Sequence, residues 1–176
     1  SHTVNLVATD KGGLQTTLEV KLGVSDVTDI IKGGDGNDVI RGGKGIDYLY
    51  GFNGNDTLYG SAGHDTLISG IGNDVIDGGA GNDTLTGGAG ADQFVFLANS
   101  NSGKDVITDF EAGTDKVVFA DLVSANQLQG AVWNDNTHTL SFTGVDKAGQ
   151  TYNNSITFNG MAAGETLNSI LEKHVE

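Results

Sequence analysis

The hydrophobic pattern of the chain settles into one long period at residue 33. From there to residue 95 an apolar residue recurs every nine positions, at Ile40, Leu49, Leu58, Leu67, Ile76, Leu85 and Phe94. Each sits in the middle of a β-prone triplet, as in Val39-Ile40-Arg41, Thr57-Leu58-Tyr59 and Thr84-Leu85-Thr86. Side chains alternate across a strand, so the middle residue points inward and its neighbours outward. These seven residues are the expected interior. The intervening positions are glycine-rich and polar: the units read GGDGNDVIR, GGKGIDYLY, GFNGNDTLY, GSAGHDTLI, SGIGNDVID, GGAGNDTLT and GGAGADQFV, with Gly fourth and Asp sixth in every copy. Positions one to six are expected to turn rather than pair, because glycine carries a high entropy cost in regular structure and suits φ > 0. A flexible glycine-rich linker would lack the apolar eighth position.

One unit supplies a single strand and a single turn, so two units complete a coil and each unit stacks on the second one after it. That places Asp38, Asp56, Asp74 and Asp92 in one column and Asp47, Asp65 and Asp83 in another. Stacked strands lie about 4.8 Å apart, and carboxylates at that spacing repel unless positive charge lies between them. Calcium fits, since it takes six to eight oxygen ligands and glycine turns offer bare carbonyls beside each Asp. Successive carbonyls of an extended loop point opposite ways. One ion is therefore expected to draw on positions two, four and six of one unit and on one, three and five of the unit stacked upon it. The candidate ligands are Gly34, Gly36 and Asp38 in the first unit and Gly43, Gly45 and Asp47 in the second. The third offers Gly51, Asn53, Gly54, Asn55 and Asp56, and the fourth Gly60, Ala62, Gly63, His64 and Asp65. Gly70, Gly72 and Asp74 follow in the fifth, then Gly78, Ala80, Gly81, Asn82 and Asp83, and last Gly87, Ala89, Gly90, Ala91 and Asp92.

This run of seven nonapeptides resembles the RTX family of secreted bacterial proteins. The resemblance implies an all-β fold, a parallel β-roll (β-solenoid) with calcium in its turns. Phe52 and Ser61 replace the second glycine and Ser69 the first, which weakens the turn preference but keeps the carbonyls. Residues 24–32 continue the nine-residue phase without glycine, which places Asp29 at the sixth position, in the column of Asp47.

The flanks read differently. Val4, Leu6 and Ala8, then Leu18, Val20 and Leu22, alternate with polar residues around Asp10-Lys11-Gly12-Gly13, the signature of a hairpin. The stretch Val4–Asp29 resembles the last two strands of a cadherin-like or immunoglobulin-like repeat; the alternative is a hairpin that caps the first coil. After the roll, DVITDFEAGTDKVVF resembles the segment that follows the repeats in RTX proteases and adhesins. An open roll would expose its core and an unpaired edge, so a cap is required. Asp105 and Asp109 are candidates for a last calcium site, or else solvated loop acids. Strands are expected around Val106-Ile107, Val117-Val118-Phe119 and Ser155–Phe158, a hairpin about Asn134-Asp135-Asn136, and a short helix from Thr166. The expected division is an N-terminal hairpin at 1–28, the roll at 29–95, and at 96–176 a C-terminal cap that resembles the export signal of type I secretion substrates.

Composition narrows the function. The 176 residues hold no Cys, no Pro and a formal charge of −14. Five to six calcium ions would bring about +10 to +12, close to cancelling that charge, with one or two more in the cap. So acidic a chain is a poor partner for nucleic acid, and no apolar run approaches the ~20 residues of a membrane span. H-E-x-x-H and G-x-S-x-G are absent, so no catalysis is expected of this segment. The third position runs Asp35, Lys44, Asn53, Ala62, Ile71, Ala80 and Ala89, which is no flat Thr and Asn array for ice. The expectation is a monomeric, secreted or cell-surface module for calcium-dependent folding, capping and type I secretion, attached to an adhesin. The alternative is the C-terminal module of an exoenzyme (protease, lipase or epimerase) whose catalytic domain lies upstream.

Overall fold

The computed structural model describes residues 28–121 and 130–161, together with the backbone of two strands at 2–9 and 15–22. Those two, β1 (His2–Thr9) and β2 (Gln15–Leu22), form the antiparallel hairpin that the alternation predicts, with His2 opposite Leu22 and Thr9 opposite Gln15. Its turn and the helix expected from Thr166 lie outside the described residues.

The nonapeptides wind into a parallel β-roll. Its strands are β3 (Ile30–Lys32), β4 (Val39–Lys44), β5 (Tyr48–Asn53), β6 (Thr57–Ala62), β7 (Thr66–Ile71), β8 (Val75–Ala80), β9 (Thr84–Ala89) and β10 (Gln93–Phe96). β4, β6, β8 and β10 stack in one wall and β3, β5, β7 and β9 in the other. Every residue lies over its equivalent eighteen positions on, as with Leu49 over Leu67 and Leu67 over Leu85. The eighth-position residues fill the space between the walls: Ile40 is 5% exposed and the other six are 0%. Burying each contributes about 1.5–3 kcal/mol.

One expectation is corrected. Positions one to three do not turn; the strand runs from position seven of one unit through position three of the next, as in β4, and only positions four to six turn. In a parallel stack glycine lies over glycine, and ladder bonds on both sides offset its entropy cost. The second position then takes φ > 0, with Gly70 at 114° over the carbonyl of Phe52. Phe52 and Ser61 hold the same conformation at 80° and 85° without being glycine, a strain of roughly 1–2 kcal/mol each.

Beyond the repeats the walls continue. β12 (Lys116–Phe119) stacks on β10, and β11 (Lys104–Ile107) on β9. The second wall is then extended by β15 (Thr151–Phe158), parallel to β11, and by β14 (Thr139–Val145) and β13 (Val132–Asn134), both antiparallel. The core changes from aliphatic to aromatic: Phe110 meets Phe158 edge-on at 5.1 Å and Phe119 meets Phe142 at 5.3 Å. Among the described residues there is no helix.

Candidate metal centre

The sixth-position aspartates form two continuous rows. Asp47 Oδ1 accepts the amide of Asp29 at 2.9 Å, Asp65 that of Asp47 and Asp83 that of Asp65, both at 2.8 Å. In the other row Asp56 accepts from Asp38, Asp74 from Asp56 and Asp92 from Asp74, at 2.7–2.9 Å. Each earlier Asp returns the bond through its carbonyl, as Asp47 does to the amide of Thr66. The rows therefore assemble as the stacking predicts, and Asp29 opens one of them.

The second carboxylate oxygen of six of these residues is different. Oδ2 of Asp47, Asp56, Asp65, Asp74, Asp83 and Asp92 is buried and has no hydrogen-bond partner. A buried acceptor left unpaired costs about 1–3 kcal/mol, more when charged. First-position glycines explain how five of these six oxygens fit. A Cβ on Gly42 would lie 2.6 Å from Asp47 Oδ2 and 2.9 Å from the carbonyl oxygen of Gly60, and one on Gly60 would meet Asp65 Oδ2 and the Gly78 carbonyl in the same way. Removing that carbon leaves a small space flanked by a carboxylate and a carbonyl of the next coil.

Other candidate positions are engaged elsewhere. The third-position carbonyls of Ala62, Ala80 and Ala89, and that of Ile71, accept fourth-position amides from the preceding coil. Asn53 bonds Asp35 through its side chain on the exposed surface. The fifth position forms a ladder: Asn37 accepts the amide of Asn55, Asn55 that of Asn73, and Asn73 that of Ala91. In the other column His64 takes the place of an asparagine, its Nδ1 accepting the amide of Asn82 at 2.8 Å. Ser69, the one first position that is not glycine, donates its hydroxyl to the Gly87 carbonyl at 2.6 Å.

Past the repeats, Asp105 continues one row by accepting the Asp83 amide at 2.9 Å. Asp109 does not continue the other. Its two oxygens bond the amides of Gly87 and Gly88. Asp115, which the sequence reading passed over, accepts the Asp92 amide at 3.1 Å and closes that row. The signal was present: Asp115-Lys116-Val117 repeats the Asp-x-apolar spacing of every unit, whereas Asp109 is followed at once by Phe110.

Burial pushes the carboxyls of Asp83 and Asp92 up to about 6 and that of Asp105 up to about 8; backbone amides oppose the rise and neighbouring carboxylates add to it. Asp56, Asp65 and Asp115 are raised for the same first reason. Positive charge among them would hold them ionised. Among the described residues no three His, Cys, Asp or Glu side chains converge on one point, so the remaining ligands of any ion would be backbone oxygens. An all-oxygen set of carboxylates and carbonyls suits a hard divalent cation of the calcium type.

A parallel β-roll with rows of buried, unpartnered carboxylates along its turns is a cation-binding module. Residues 32–67, 59–94 and 68–101 match the model of the RTX calcium-binding nonapeptide repeat. Residues 32–101 are thus RTX repeats, a calcium-binding structural element. No curated protein matches the chain at a significant level. Solved structures that resemble it include the AlgE6R2 subunit of the Azotobacter vinelandii mannuronan C5-epimerase, 28% identical over 80% of this chain and 91% of that one, with a TM-score of 0.34. The AlgE6R3 subunit is 22% identical, over 88% and 83%, with a TM-score of 0.28. The extracellular lipase LipA of Serratia marcescens is 21% identical, over 98% of this chain but 26% of its own, with a TM-score of 0.34. These superpositions are loose, and the assignment rests on the repeats themselves.

Proposed function

We propose that this chain is the calcium-dependent folding, capping and type I secretion module of a secreted bacterial adhesin, with calcium held in the turns. The observation that carries the reading is the set of six buried carboxylate oxygens without partners. One ion beside each gives about six for the roll, or about +12 against the chain's −14. Bound calcium supplies the positive charge that these rows lack.

Without it, like charges stacked at strand spacing and 28 glycines favour the unfolded chain. Because the spaces exist only when coils stack, binding energy is folding energy. A chain that stays unfolded where calcium is scarce passes through a narrow export channel. Once outside, in millimolar calcium, it folds and cannot slide back. The adhesin assignment rests on the N-terminal hairpin, whose sequence resembles the end of a cadherin-like or immunoglobulin-like repeat. The module acts as a monomer and needs no partner beyond calcium and, in transit, the export machinery.

Circular dichroism of the chain in chelator, followed by calcium addition, tests this. The expected outcome is a disordered spectrum that converts to β within a narrow calcium range. A β spectrum unchanged by chelator would refute it.

A further inference from the structure

We infer that the last two sites of the cation stack are completed from past the last nonapeptide: Asp105 completes the site beside Asp83 and Asp115 the site beside Asp92, and these two sites latch β11 and β12 onto the roll. This rests on the calcium reading given above and assigns it to residues outside the repeat pattern.

Within the roll, partners are eighteen residues apart. Asp105 lies twenty-two residues beyond Asp83 and Asp115 twenty-three beyond Asp92, yet both pairs keep the bonding of the repeats. The later carboxylate accepts the earlier amide, and the amide that follows the later Asp, from Val106 or Lys116, donates 2.8–2.9 Å back to the earlier carbonyl. The loops absorb the extra residues; the rows do not break. Asp105 and Asp115 are themselves 2% and 5% exposed, too buried to be solvated loop acids.

The second observation comes from the unpaired oxygens. Inside the roll the orphaned Oδ2 of Asp47, Asp56 and Asp65 shares its space with a carbonyl of the next coil along, that of Gly60, Ser69 and Gly78 respectively. Asp83 Oδ2 and Asp92 Oδ2 are equally orphaned, in residues only 1% and 0% exposed. For them the next coil is no nonapeptide. It is the segment ending at Asp105 in one case and at Asp115 in the other. Asp109 is excluded from this role because it accepts the amides of Gly87 and Gly88 and no amide of a row aspartate; Asp115 accepts the Asp92 amide through Oδ1, while its Oδ2 accepts the amide of Glu111.

Native mass spectrometry of the 176-residue chain in calcium counts the ions held by the wild type and by Asp105→Asn, Asp115→Asn and Asp109→Asn. The first two variants are each expected to carry one ion fewer. They should also lose hydrogen-exchange protection by more than about tenfold at Ile107 or Val117, with Leu58 and Leu67 unaffected. Asp109→Asn should keep the wild-type count. Unchanged counts and protection in both row variants overturn this inference while leaving the roll's own calcium binding intact; a wild type that carries no ion overturns the underlying reading instead. Should a variant fail to fold in saturating calcium, hydrogen exchange of the wild type during stepwise calcium addition decides. Protection of β11 and β12 that rises together with that of β9 and β10 supports the latch, and protection already present in chelator overturns it.

Discussion

The repeats and the segment that closes them solve the same problem with different means. In the roll, one apolar residue per unit, aliphatic in all but the last, fills a narrow core, and the turns concentrate charge. In the closing segment the turns are irregular, the outermost strands run antiparallel, and the core is built from phenylalanines that meet edge to face. A thin core with charged turns needs a counter-ion; a wider aromatic core with antiparallel pairing depends far less on one.

Two glycines break this comparison most sharply. Gly72 (φ +149°) sits directly on the carbonyl of Gly54, whereas Gly149 (φ +83°) has nothing within 4 Å of the position a Cβ would take. Gly149→Ala should cost only the roughly 1–2 kcal/mol of a left-handed alanine. Gly72→Ala should cost that and also force two coils apart, so that the calcium-induced β signal is lost or needs far more calcium, as circular dichroism would report.

Core truncations come next. Leu67→Ala should destabilise by about 2–5 kcal/mol and Phe158→Ala by about 3–5 kcal/mol. The first should raise the calcium concentration at half-folding. The second should act mainly on the protection of β13 to β15 by hydrogen exchange. Equal shifts of the calcium midpoint in both variants would erase the distinction between the two regions.

Acidity acts on the rows alone. The carboxyls of Asp83, Asp92 and Asp105 stand at about 6, about 6 and about 8 in the metal-free fold, against 3.8 for an ordinary aspartate. Raised in the folded state, they disfavour folding progressively as pH climbs from about 4 to about 8. In chelator the chain should therefore be more structured at pH 4.5 than at pH 8. With calcium present the direction reverses, and the calcium needed for folding should rise below about pH 6, because protons and metal compete for the same oxygens. A calcium titration followed by circular dichroism at several pH values checks both signs.

The smallest effect is a gain. Ser61 holds φ +85° where most units have glycine. Ser61→Gly should stabilise by about 1 kcal/mol and raise the melting temperature in calcium by a few degrees.

Much of this was legible because the repeat is strict. A single apolar position in nine identifies the interior, and the need for two units per coil identifies which aspartates align. Strand length was not legible, because the glycines that signal turns in isolation are held in a ladder by identical glycines above and below. Asp115 was missed where the spacing slips from eighteen to twenty-three, since a change of register hides a row from any argument based on period. The fifth-position ladder was hidden for another reason: asparagine there reads as ordinary turn chemistry until a second coil lies over it.

That ladder gives the molecule an internal reporter. His64 is the one imidazole at a fifth position, and the amide of Asn82 donates to its Nδ1, which leaves the ring proton on Nε2. The ring nitrogens should therefore show one frozen tautomer by NMR once neighbouring turns are in place, and an averaged pair of signals before. A single side chain in the middle of the chain, read in uniformly 15N-enriched protein, can thus time the winding of the solenoid without any foreign group being attached.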